Sequence, residues 1–260
     1  KNGSLTGRLA HLIMKEVVGR CDYLVDLHTA AVRRTNFPNV RTDMSNPDCE
    51  RLAEAFGTEV IMNSNGPEGS LRREACESGC PTIILEAGEA LKVEPAVQDM
   101  TQRGLTHIMA ELDMIDVSDA LRPDTPPHQM IVQGSSWVRA GSGGFLQFHV
   151  APGETVEKGQ ALATNTGLIG KEHETIISPH NGIVLGMTTM PAVSPGDPIL
   201  HIALPNTRKQ FRSLEKSVDK IEDDTLENQV RDHLATSFTV VEHTLEEDEN
   251  EFEIKENDDL

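Results

Sequence analysis

Apolar positions along this chain repeat with two periods, and the change between them divides it. Leu5, Leu9, Leu12, Ile13 and Val17 keep helical spacing, with Ser4 or Thr6 placed to cap the start and Gly19 to end the helix. Residues 22–27 then read as a buried strand that runs out at His28. A loop rich in Arg, Asn and Pro follows from Thr29 to Pro47. Beyond it the spacing predicts a helix over Cys49–Phe56 closed by Gly57, a strand over Glu59–Met62 and turn chemistry over Asn63–Gly69. A helix over Ser70–Glu77, a strand over Pro81–Leu85 ending at Glu86, and a longer helix over Pro95–Met114 complete this part. Helices alternating with apolar strands define an α/β class.

The period changes after Arg122-Pro123-Asp124-Thr125-Pro126-Pro127, which reads as a linker. From Met130 to Ala203 short apolar runs alternate with Gly and Pro turns, the signature of a β-rich unit. Past Pro205 the chain turns polar. Residues 210–235 are expected to be helical, with Phe211, Leu214, Val218 and Ile221 along one side, and the acidic run 246–251 to be solvated. The expected division is 1–121, the linker 122–129, a β-rich domain 130–204, and an acidic helical or disordered tail 205–260.

Val156-Glu157-Lys158-Gly159-Gln160 and the turn Ser178-Pro179-His180-Asn181-Gly182-Ile183-Val184 resemble the barrel-sandwich fold of biotinyl and lipoyl domains. The nearby Lys171 lacks the setting of a carrier lysine, so the resemblance implies a structural module beside a catalytic domain.

The formal charge of -19 repels phosphate backbones, which argues against a nucleic-acid partner and for small polar ligands. No apolar run approaches the roughly 20 residues needed to span a membrane. Cys21, Cys49, Cys76 and Cys80 lack a secreted disulfide spacing, and a reducing cytoplasm fits them. Cys76 and Cys80, four apart, read either as half a metal site or as buried thiols. The chain opens at Lys1-Asn2-Gly3-Ser4 without a signal-peptide pattern, as expected of a fragment or a trimmed product.

Candidate chemistry sits at two strand ends, where α/β folds place ligands. His28 suits a zinc ligand and Glu86 a general base. Asp26, two residues before His28 on the same strand face, is placed to orient the imidazole. The competing readings are a strand-end histidine satisfied by hydrogen bonds and a helix N-terminal acid.

Asp26-Leu27-His28-Thr29, Gly69-Ser70-Leu71-Arg72 and Leu85-Glu86-Ala87-Gly88, followed by the β-rich end, resemble the succinylglutamate desuccinylase/aspartoacylase family of the zinc carboxypeptidase clan. The resemblance covers residues 1–203 and implies a mixed-sheet carboxypeptidase-like α/β domain followed by a β-rich, barrel-sandwich-like one. It implies that His28 is the third zinc ligand, and that Glu86 is a general base which also passes a proton to the leaving amine. The family's first two ligands, a His and a Glu three residues apart, precede the Asp-Leu-His motif, as does an Asn-Arg pair. Nothing before Cys21 supplies them, and the His-x-x-Glu at 243–246 lies at the wrong end. The chain is therefore expected to lack the family's N-terminal part and, by itself, to bind zinc weakly and turn over little.

Substrates of the family carry carboxylates, which makes Arg72, Arg33, Arg34 and Asn36 candidate contacts. The expected function is zinc-dependent hydrolysis of an N-acyl amino acid. Peptide or poly-glutamate cleavage, and a non-catalytic binding or assembly module, stand as alternatives. Self-association is left open.

Overall fold

A computed structural model describes residues 3–120, 128–222, 224–236 and 240. Most of the expected linker, the 243–246 motif and the acidic run lie outside these described residues.

The α/β part runs α1 (Leu5–Glu16), β1 (Leu24–His28), β2 (Arg34–Thr42), α2 (Pro47–Phe56), β3 (Val60–Asn63), α3 (Leu71–Glu77), β4 (Thr82–Glu89) and α4 (Pro95–Glu111). Helix α1 starts where Ser4 accepts the Gly7 N–H at 3.2 Å, although its apolar positions Leu5, Leu9 and Leu12 stay exposed. Asn46 accepts from Asp48 and Cys49 to begin α2, and Gly57, at φ 83°, ends it in the left-handed conformation that glycine adopts freely.

One expectation fails here. The stretch expected to be a loop from Thr29 to Pro47 contains the nine-residue strand β2. Polar side chains and Pro38 hide it from a propensity reading, but its partners lie far away in sequence and pair with it on both edges. One edge meets β4; the other meets β3 and then β11 (Gly182–Thr188). Tertiary pairing overrides local preference.

The later strands are β5 (Met130–Val132), β6 (Gly134–Arg139), β7 (Gly144–Phe148), β8 (Thr155–Val156), β9 (Ala161–Thr166), β10 (Glu172–Ile177), β11, β12 (Ala192–Val193) and β13 (Pro198–Leu204). Nine strands of the described residues form one mixed sheet with the path β1-β4-β2-β11-β13-β6. In it β1 and β4 are parallel, and β2 and β4 antiparallel. The sheet thus crosses from the α/β part into the β-rich part. A second, antiparallel sheet runs β10-β9-β7-β12, and Leu146, Phe148, Leu162, Val184, Ile199 and Leu200 fill the core beside it.

The helix expected over 210–235 is two helices, α5 (Arg208–Val218) and α6 (Leu226–Ala235), capped by Thr207 and Thr225. Leu214, Val230 and Leu234 enter a core with Phe37 and Met100. Two buried ion pairs fasten α6: Arg103–Glu227 at 2.6 Å and Arg231–Glu59 at 2.8 Å. No helix among the described residues is long and apolar enough to cross a membrane.

Removing one partner of a buried pair strands the other charge, which costs about 3–5 kcal/mol. Arg103→Ala should therefore lower unfolding stability by about that much in urea, and joint replacement of Arg103 and Glu227 by Met should recover most of the loss.

Candidate active site on one sheet face

Strand register brings the site together. β1 and β4 pair His28 with Glu86, and β2 pairs Asn39 with Glu86 from the other side. Paired residues project from the same face of a sheet, so Asp26, His28, Glu86, Asn39 and Arg41 share one face. The β2–β4 ladder slips between Asn36 and Asn39, at Phe37-Pro38. Pro38 has no N–H to give, and a bulge is where a strand tolerates that loss. The extra residue resets the alternation, and Asn36 joins the same face.

Glu86 is half-buried and held from two sides. Asn36 Nδ2 donates to Oε2 at 2.9 Å, and Arg41 Nη1 lies 3.9 Å from Oε1. Arg41 Nε in turn donates to Asn39 Oδ1 at 3.0 Å. His28 Nε2 lies 2.9 Å from Asp26 Oδ2. With that nitrogen donating, Nδ1 keeps its lone pair for a metal or a proton. His28 also lines a cavity of about 380 Å³ with Leu27, Leu85, Lys92 and the α4 residues Val97 and Leu105.

Arg72, near the start of α3, is 5% exposed, and its Nε and Nη1 have no hydrogen-bond partner. Burial first, and the charge of Arg41 second, hold its pKa below the usual guanidinium range, while Glu86 opposes the shift. The guanidinium packs against Gly66, at φ 83°, where a Cβ would meet Nη2 at 2.9 Å. A buried cation with two unmet donors is built to take an anion, and a carboxylate matches its fork.

The β-rich part adds residues that the sequence reading missed. A row of paired positions, Asn36, Gly186, His201 and Trp137, crosses β2, β11, β13 and β6. Gly186 leaves space in that row, since a Cβ there would sit 2.6 Å from Asn36 Oδ1. The Trp137 and His201 rings stack at 4.3 Å, and the Arg34 guanidinium lies 4.8 Å from the indole centroid. Burial, then Arg41 and Arg34, push His201 from 6.5 down to about 4. No local motif announces Trp137, His201 or Arg41; only the pairing of distant strands does.

The structure therefore gathers His28, Asp26, Glu86, Asn36 and Arg34 on one sheet face, with Arg72 within electrostatic reach of Glu86. Arg33 is not drawn in. It sits exposed in the turn before β2 at φ 66°, and its side chain makes no hydrogen bond or ion pair among the described residues. Among those residues no three His, Cys, Asp or Glu side chains group around a metal position. A catalytic zinc takes three protein ligands, so the described residues alone do not fit a complete zinc site.

The site is thus one face of a mixed-sheet α/β frame, with an imidazole at the end of β1 and a carboxylate and guanidinium groups along β4 and β2. The family model described as Succinylglutamate desuccinylase/Aspartoacylase catalytic domain matches residues 2–112, somewhat under half of the chain. That segment matches the family whose motifs the sequence resembles. The fold resembles that of the ectoine utilization protein EutE (DoeB) from Ruegeria pomeroyi. The TM-score is 0.67 at 15% identity, over 78% of this chain and 66% of that one. A succinylglutamate desuccinylase/aspartoacylase from Rhodobacter sphaeroides gives 0.67 at 19% identity, over 79% and 65%. An aspartoacylase family protein from Mesorhizobium loti gives 0.62 at 16%, over 78% and 70%. At these identities the likeness is one of fold, and the chain spans about two thirds of the length of these structures. No curated protein matches the sequence.

His201 should titrate near pH 4 by NMR, and Arg41→Gln should move the midpoint upward. Its folded pKa lies below the unfolded 6.5, so the unfolded chain binds the extra proton between those values. Its contribution to stability is therefore lost as pH falls from about 6.5 toward 4.

Proposed function

We propose that this chain carries the general base, one metal-binding imidazole and the carboxylate-binding groups of a zinc-dependent hydrolase that cleaves the amide of an N-acyl amino acid. The observation behind the proposal is the setting of Glu86: a tethered carboxylate opposite His28 in the register, beside Arg41 and within reach of the unmet donors of Arg72. His28, with Nδ1 unencumbered, is proposed as one zinc ligand. The described residues offer no complete ligand set, so they are assigned only what their own atoms do.

Glu86 takes the proton of the attacking water and passes it to the departing amine. Asn36 fixes the orientation of that carboxylate. Arg72 offers its unmet Nε or Nη1 donor to a substrate carboxylate oxygen. Arg34 and Arg41 add local positive charge, which an acidic substrate needs when the chain as a whole carries -19. The preferred substrate is a small N-acyl amino acid with a second carboxylate, and a cytoplasmic location suits such a ligand.

The test is a panel of N-acyl amino acids and short peptides, assayed with zinc on the protein that carries this chain. Acidic N-acyl amino acids should turn over fastest; hydrolysis of peptides alone would remove the proposed substrate class. Glu86→Gln should lower kcat by about 10²–10⁴ with KM nearly unchanged, and retained activity in that variant rules out Glu86 as the base. Arg72→Lys should raise KM for acidic substrates about tenfold, the loss of roughly 1.5 kcal/mol of charge-assisted bonding.

A further inference from the structure

Away from the carboxylate and the imidazole, two thiols from different helices meet. Cys49, in the first turn of α2, and Cys76, in α3, place their Sγ atoms 3.7 Å apart, and each lies 3.8 Å from the Thr82 carbonyl oxygen. The partner of Cys76 is thus Cys49, and not Cys80, which lies beyond the end of α3 and is buried.

We propose that Cys49 and Cys76 form a reversible thiol–disulfide site that reacts with small-molecule disulfides of the glutathione class. Cys49 is fully buried, whereas Cys76 is partly exposed, so an incoming disulfide has one sulfur to meet and a second waiting behind it. The surroundings favour a thiolate. Cys49 sits at a helix N-terminus, and Arg72 stands one helical turn before Cys76 on α3. The hydrogen bond between the thiols is the largest influence on Cys49 and lowers its pKa to about 6, against burial and the nearby Asp43, which raise it. The same contact raises Cys76, so the pair ionises once and holds the remaining proton between the two sulfurs.

The exchange balances. The proton rests on Cys76; once it has passed to Cys49 across the 3.7 Å contact, the more exposed Cys76 Sγ, now the thiolate, bonds to one sulfur of the small disulfide and expels the other as a thiolate, which takes the proton from Cys49. Cys49 Sγ then bonds to Cys76 Sγ and expels the second. Two protein thiols lose two electrons and two protons; the small disulfide gains them and leaves as two thiols. The sulfurs must close from 3.7 Å to about 2.05 Å.

The experiment exposes the fully reduced 260-residue chain to oxidised glutathione, alkylates the remaining thiols and maps the products by mass spectrometry. The expected product is two hydrogens lighter, carries a Cys49–Cys76 cross-link, keeps two of its four cysteines alkylatable, and regains all four with dithiothreitol. Cys76→Ser should abolish the cross-link, and the wild-type mapping stands without that variant if it fails to fold. The proposal is overturned if all four thiols stay alkylatable, if a glutathione adduct accumulates on Cys76 without a cross-link, or if the cross-link joins Cys21 to Cys80.

Discussion

The two-sided pairing of β2 is the constraint on which the rest depends. Its first residues are hydrogen-bonded to β11 of the β-rich part, its last residues to β3, and its other edge to β4. The halves of the chain therefore meet at this strand, as they also do where β3 pairs β5. The same strand supplies Arg34, Asn36, Asn39 and Arg41 to one face, although 36 and 39 would face opposite ways in a regular strand. The bulge at Phe37-Pro38 removes that conflict, and it turns Phe37 the other way into the core with Ile183 and Leu185. One irregularity thus serves packing on one face and polar chemistry on the other.

That polar face is electrostatically unlike the molecule around it. Arg41 and Arg72 act on Glu86, and Arg34 and Arg41 on His201, in a chain of net charge -19. Arg41 is partly balanced by Glu86 and Asn39, and Arg34 lies over Trp137. Arg72 is left with two buried donors unmet, and an unmet buried donor costs stability. A fold keeps such a cost where function requires it, and the anionic substrate proposed above would remove it on binding. His201, kept neutral by burial and by two of these arginines, adds an aromatic surface beneath Arg34 without a further charge.

The legibility of all this in the sequence followed the range of the interactions. β1 and β4 were readable because apolar runs mark strands locally, and with them came His28, Asp26 and Glu86, although β1 is an edge strand with Leu27 exposed and not the buried strand expected. Helices α2 and α4 carried caps, periodicity and a terminal glycine or an initial proline. β2 was not readable: its polar face belongs to the site, its proline belongs to a bulge, and its partners are distant in sequence. Trp137 and His201 stayed hidden for the same reason, since a cross-strand pair between β6 and β13 has no local signature. The family motifs carried Arg72 further than periodicity did, because its burial arises from the loop around Gly66 and not from an apolar pattern.

The site is also divided mechanically. Glu86, His28 and Asn36 stand on sheet strands that hydrogen-bond to their neighbours along their length. Arg72 stands on a seven-residue helix, and a helix that short does not hold itself together in water. Its position rests on tertiary contacts: Leu71 and Ala75 against Val18 and Cys80 on one side, and Cys76 against Cys49 on the other. Glu86 is thus held by paired strands, while Arg72 depends on a few contacts, one of them between thiols. A change confined to those thiols acts on the proposed carboxylate contact before it acts on the proposed base. This separation follows from placing the two tasks on a strand and on a short helix, and it makes binding the adjustable property of the site.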